Sequence, residues 1–281
     1  MLQALLAAIG VAGGDIVNKI ILDHKQTSVR RFLPLLFLFL VLITGIILPF
    51  TFSLSTQAFQ WNYIILFIVM VGVGIAWNVP FYNSIKKESL HEFELIILLS
   101  PVMTIFLAMA FLPEERNLSV FFVGILACII LFFNRYRNKE LNLTVNVKRT
   151  LLAMFFIAIE AILVKKLLAV YSPPTLYFFR TLIMAVVYYF LFRPKGEQEK
   201  MTGQIYGLIF VSAFFGVLQM VMKFYGFINF GVIKTTLVLL IAPVLVYFAS
   251  FFYFREKRLF WRDAISAAAV LACLIYIIIV S

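Results

Sequence analysis

The amino-acid sequence predicts an all-α membrane protein: ten transmembrane helices arranged as two inverted five-helix repeats. Three observations carry this. Of its 281 residues 64% are apolar and only 13% are charged, against roughly 45–50% and about 25% in soluble domains, so the chain cannot clothe a core in a water-exposed surface. Near-continuous apolar runs of about 18–23 residues recur from end to end, each long enough to cross a hydrocarbon core of roughly 30 Å. The two halves of the chain also match each other.

The runs place helices at Leu2–Leu22, Phe32–Phe52, Asn62–Tyr82, Phe93–Leu112, Leu118–Asn134, Thr150–Val170, Pro174–Phe192, Gln204–Met222, Gly231–Phe254 and Trp261–Val280. Long apolar spans in lipid are helical because each backbone N–H and C=O must then be bonded within its own segment. A barrel would need short strands of alternating polarity, and these runs are apolar on all sides. The first run lacks the basic start of a secretory signal and continues through polar residues, so it is read as a retained helix. Connections are short. The longest, "RYRNKELNLTVNVKR", follows the fifth helix and divides the chain into a first repeat over 1–134, a linker over 135–149 and a second repeat over 150–281.

The match between halves is specific. "LLSPVMTIFLAMAFLPEER" aligns with "LIAPVLVYFASFFYFREKR" without a gap, superposing Pro101 on Pro243, Glu114 on Glu256 and Arg116 on Arg258. "GIAWNVPFY" aligns with "GVLQMVMKFY" with one insertion, and "LLAAIGVAGGDIVNK" with "LLAMFFIAIEAILVK", pairing Lys19 with Lys165. With a small gap Arg31 then meets Arg180. Five is odd, so a copy that follows directly must enter the membrane from the opposite side. The repeats are therefore inverted, an arrangement that in transporters places the substrate site near the midplane where the repeats meet.

These features resemble the drug/metabolite transporter superfamily, in particular its ten-helix branch of two EamA-type repeats. The resemblance rests on Pro101 followed by "EER", Pro243 followed by "EKR", Tyr82 and Tyr225 near the ends of the third and eighth helices, and the polar, Lys-bearing ends "GGDIVNK" and "EAILVKK". It implies a secondary transporter. Pro113 and Arg255 depart from the family's usual Gly before the acidic residue.

Net charge is +11. The cations lie in short caps between apolar runs rather than in a stripe, which excludes nucleic acid as a partner and fits the positive-inside bias. Seventeen Lys and Arg fall in the loops of one face, among them Lys25, Arg30, Arg31, Lys86, Lys87 and the linker cations. Five fall on the other: Arg116, Lys165, Lys166, Lys223 and Lys234. The bias puts the basic face in the cytoplasm and both termini outside the cell membrane, whereas the resemblance implies cytoplasmic termini.

Polar residues inside apolar runs are the candidate substrate-binding set, because ionisable groups there are costly and are by default functional. In the first helix Asp15, Asn18 and Lys19 share one face; the alternative is Lys19 snorkelling to the interface and neutralising Asp15. Gly10 and Gly14 in the same helix form a small-xxx-small packing motif. In the third helix Trp77 and Asn78, and in the eighth Gln219, lie deep enough for a cavity, while Tyr82 and Tyr225 read as interface-belt residues. Glu160 in the sixth helix is the deepest acid and has Val164, not a cation, at i+4, so it is a candidate proton carrier alongside Asp15. Arg180 in the seventh is suited either to an anionic group on a substrate or to snorkelling. Glu94, Glu114 and Glu256 read as turn and capping residues, and Pro101 and Pro243 as matched hinge candidates or tolerated kinks.

The leading function is alternating-access transport of a small organic solute, a metabolite or amino-acid-like molecule, with proton coupling as an option. A lipid-carrier translocation subunit, a non-transporting membrane partner and a homodimer stay open. A membrane-embedded enzyme has little support. His24 and His91 sit in loops, Cys128 and Cys273 read as small buried hydrophobes, no cluster has metal-ligand spacing, and no phosphate-binding loop is present. No catalytic residue, metal or cofactor is expected.

Overall fold

The computed structural model describes residues 1–25, 27–87, 97, 99–136, 145–193, 201–249, 268–269, 272–273 and 276. They include ten α-helices, α1 Leu2–Asp23, α2 Val29–Thr51, α3 Trp61–Lys87, α4 Leu99–Phe111, α5 Leu118–Tyr136, α6 Val145–Leu167, α7 Pro173–Leu191, α8 Gly203–Phe230, α9 Val232–Leu239 and α10 Ile241–Ala249, and two short 3-10 helices, Thr56–Phe59 and Pro113–Glu115. Among the described residues the β-structure is one isolated bridge, Leu54 to Tyr171. The protein is an all-α membrane protein. Helices α1, α2, α3, α7 and α8 are long and apolar enough to span a bilayer, and α4, α5 and the α9–α10 pair are shorter apolar segments. α6 has the length, at 23 residues, but carries Lys148, Arg149, Glu160, Lys165 and Lys166. Most of the predicted tenth helix, with Glu94, Glu256 and His91, lies outside the described residues.

Several boundaries differ from the sequence reading: α3 runs on from Tyr82 to Lys87, and α6 begins at Val145, inside the predicted linker. The eighth helix does not stop at Met222: α8 runs to Phe230, because "FYGFINF" continues the apolar run and contains no breaker before Gly231. The predicted helix from Gly231 to Phe254 is broken into α9 and α10 at Leu240, a non-α turn whose N–H bonds Leu237 O, three residues back. Pro243 contributes to the break, although Pro34, Pro49 and Pro80 lie within α2 and α3 without one. Pro243 has no N–H to give the Leu239 carbonyl, and its ring crowds that turn.

Outward faces are apolar, as lipid requires: Phe50 is 87% exposed and Ile46 72%. Inside, α1 packs on α8 and on α9–α10, α2 on α7, α3 on α6, and α4 on α6. The α1–α8 approach is very close. A Cβ on Gly10 would lie 2.7 Å from the Gln219 backbone nitrogen, and one on Gly13 2.6 Å from the Phe215 ring. At Gly14 the nearest atoms would be at 3.7 and 3.9 Å. The packing contact thus uses Gly10 and Gly13, where the sequence motif pointed to Gly10 and Gly14.

The face opposite the basic loops is tied across the two halves of the chain. Ser55 N donates to Val170 O at 2.9 Å and Ser172 N to Ser53 O at 3.0 Å. Ser172 Oγ donates to Thr51 O at 2.9 Å. Glu115 accepts from Val232 N at 2.5 Å and Ile233 N at 2.8 Å, capping two otherwise orphaned donors at the start of α9. Gly231 makes room for it: φ is +85°, and a Cβ there would lie 2.8 Å from the carboxylate. The cap is Glu115 rather than Glu114, its neighbour.

Candidate functional site

Polar side chains that α1, α3, α6, α7 and α8 carry into the bundle converge on one cavity, with about 1240 Å³ of space outside protein atoms, its open part included. Its lining comes from the basic-face halves of α1, α2 and α3, the start of α4, the middle of α6 and α8, α7 near its start, and the α9–α10 break. Its walls are mainly apolar, including Phe37, Leu40, Phe81, Met154 and Ile157, with a few inward polar groups. That composition is the usual one for a small-molecule site.

Of the eight sequence candidates, six line this cavity: Asp15, Asn18, Trp77, Asn78, Arg180 and Gln219. Asp15, Asn18 and Asn78 are buried, at 6%, 5% and 2% exposure. Asn18 Oδ1 accepts from Ser212 Oγ at 2.5 Å, so α1 and α8 are joined by a polar bond at cavity level. Asn78 turns its amide back to Gly74 O at 2.7 Å.

Glu160 lies just behind the lining, held by two partners that do line it. Arg180 Nε donates to Oε1 at 2.5 Å and Trp77 Nε1 to Oε2 at 2.6 Å. The acid that sequence reading left without a cation therefore has one, supplied by another helix. Gly74 leaves space for the pair: a Cβ there would lie 3.3 Å from both Arg180 Nη2 and Glu160 Oε1. The guanidinium also sits 5.9 Å from the centroid of the Tyr177 ring.

Lys19 is not part of the lining. Its ammonium donates to Ile85 O at 3.1 Å and pairs with Asp23 at 2.9 Å. Lys165, its match in the second half, donates to Phe227 O at 2.6 Å. Ile85 is among the last four residues of α3 and Phe227 among the last four of α8, where helical carbonyls lack intrahelical donors. The matched lysines do matched jobs as helix caps.

Sequence reading missed Tyr82 and Lys223. Tyr82, a belt residue by its position in the sequence, lines the cavity, held edge-on between Phe32 and Phe81 with centroids 5.2 Å from each. Lys223, by its sequence position just past Met222, falls among the loop cations. It lies within α8, lines the cavity, and places its ammonium 5.4 Å from the Phe227 ring centroid. The signal was the apolar run that continues beyond it to Phe230. Among the described residues no group of three His, Cys, Asp or Glu could hold a metal.

A crystal structure of a protein 15% identical in sequence superposes over 100% of this chain and 99% of its own, with a TM-score of 0.60, a likeness of fold. No curated protein sequence matches the chain. The model of the EamA-like transporter family matches it twice, over residues 1–136 and again over 149–279. With nearly all of its length accounted for by two copies of one family unit, the chain belongs to the EamA-like transporter family, membrane transporters of the drug/metabolite superfamily.

Proposed function

We propose that the protein is a secondary transporter of the cell membrane that carries a small organic solute by alternating access between two inverted five-helix repeats, ten helices in all. The observation that carries this is the cavity: polar groups from both halves face a mainly apolar space inside the bundle, while the face away from the basic loops is tied by inter-half hydrogen bonds. Helix pairing supports the inverted-repeat reading. Exchanging each helix for its counterpart turns α1 on α8 into α6 on α3, and α4 on α6 into α9–α10 on α1, and all of these contacts occur. The matched caps by Lys19 and Lys165 fit the same exchange.

On this reading the basic loops face the cytoplasm, both termini lie outside, and the conformation described is the inward-facing one. Facilitated movement suffices for the arrangement. Glu160 lies behind the cavity lining and Asp15 on it, so of the two acids Asp15 is the candidate for a proton-coupled step. The test is a thermal-shift screen of the purified protein against metabolites, followed by uptake of the hits into proteoliposomes. Ligands that bind the native state raise its apparent stability. A solute that stabilises the protein and enters only protein-bearing vesicles supports transport; hits that bind but never cross would make the protein a receptor-like partner instead.

A further inference from the structure

We propose that the inner end of the cavity is an anion subsite, formed by Arg180 and Lys223, that takes the carboxylate or phosphonate-type oxyanion of an amphiphilic organic acid. The proposal rests on the reading of the cavity as a solute site and adds the chemical class of the solute.

Arg180 is 2% exposed. Its Nε is used by Glu160, but its Nη2 is buried with no hydrogen-bond partner. That nitrogen lies beside Gly74 and Glu160 with no surface open to the cavity, so what Arg180 offers a ligand is the part of its side chain that lines the cavity. Lys223 lines the same cavity, and among the described residues it has no ion pair or hydrogen bond, only the ring of Phe227 beneath it. Glu160 is already bonded to Arg180, so Lys223 is the basic group at this end of the cavity that has no acceptor of its own among the described residues.

Asp15 also lines the cavity, but at another level. Gly10 lies against Gln219 and Asn18 against Ser212, which fixes α1 antiparallel to α8 and puts Asp15 level with residues near 215. Lys223 is therefore about 12 Å further along the axis, at 1.5 Å per residue. A solute's oxyanion at the cationic end is clear of that carboxylate, and Phe37, Leu40 and Phe81 are left to receive an apolar body. The arrangement favours organic acids over amines and uncharged analogues of the same shape.

The test uses four probes that share one apolar body, phenylacetate, benzylphosphonate, phenethylammonium and 2-phenylethanol, titrated into the purified full-length protein with thermal stability as the readout. Lys223 is the residue to change, because its replacement leaves the Glu160–Arg180 pair intact. The expected result is stabilisation by at least one of the two anions at tenfold lower concentration than by the other probes. Lys223→Met should weaken that response at least tenfold and Lys223→Arg should keep it, with both variants eluting as the parent does on size exclusion. Equal or stronger binding of phenethylammonium or 2-phenylethanol overturns the subsite while leaving the cavity a solute site. So does an anion response that Lys223→Met leaves unchanged, where Lys223 is merely solvated. If none of the four binds, the subsite as proposed is wrong, and the metabolite screen with vesicle uptake decides the transporter reading separately. Should Lys223→Met fail to fold, Lys223→Gln in the same titration reads out the same charge.

Discussion

Glu160 shows how far a residue can be read before its neighbours are known. In sequence it is a carboxylate deep in an apolar run, with no cation one turn away. In the fold it has two donors, Arg180 at 2.5 Å and Trp77 at 2.6 Å. Breaking a buried pair by removing one member leaves an uncompensated charge and costs about 3–5 kcal/mol. Glu160→Gln is therefore expected to lower the thermal unfolding temperature substantially, whereas Glu160→Gln combined with Arg180→Gln should recover most of the loss. Parent-like unfolding of Glu160→Gln alone would mean that the pair contributes little and would return the residue to the role of a free acid. Depth was legible in the sequence, since Asp15, Asn18, Asn78 and Gln219 stand out as polar positions inside apolar runs. Pairing was not, because Glu160 and Trp77 are 83 residues apart and meet only when α3 lies on α6. The same limit applies to Lys19, whose carbonyl acceptor on Ile85 is 66 residues away.

At the scale of elements, apolar periodicity located the helices well and their interruptions poorly. Pro243 was visible, but whether a proline bends a helix or breaks it depends on whether neighbours re-satisfy the freed carbonyl. Here the chain passes through a turn at Leu240, beside the cavity that Leu239, Leu240 and Pro243 all line. Glycines behave similarly: a small-xxx-small pattern marks a close face without saying which member touches. Gly10→Val is expected to disrupt α1–α8 packing, with little protein recovered from membranes, since its Cβ would clash with backbone at 2.7 Å. Gly14→Ala has room at 3.7 Å and should fold normally while narrowing the cavity, so its effect should appear in solute affinity; normal recovery of Gly10→Val would show that the helices can separate without loss. The lysine caps give a paired expectation. Lys19→Met and Lys165→Met each remove a charged hydrogen bond to a helix-end carbonyl, worth about 1.5–3 kcal/mol. Both should destabilise the fold to a similar degree and leave solute affinity unchanged. An affinity loss in Lys19→Met at parent-like stability would instead put that side chain in the solute's path.

For the whole molecule, alternating access demands that the face now tied across the two halves must open. The ties among the described residues include hydrogen bonds between loop backbones, serine and threonine hydroxyls bonded to backbone, and the Glu115 cap, with Leu54 and Tyr171 paired as an isolated antiparallel bridge. Residues opposed in an antiparallel pair have Cα atoms about 4.5–5.5 Å apart, inside the roughly 4.4–6.8 Å that a disulfide spans. Leu54→Cys with Tyr171→Cys is thus expected to cross-link on oxidation without distorting the conformation described here. If that face has to separate in each transport cycle, the oxidised double variant should keep its thermal stability and its solute binding yet lose at least tenfold in vesicle uptake. Reductant should restore the flux, and each single variant should transport like the parent, which controls for adventitious links to Cys128 or Cys273. Full uptake by the cross-linked protein would mean that the tied face is a fixed wall. The solute would then have to leave by another route, and the two halves could not be rocking about this cavity.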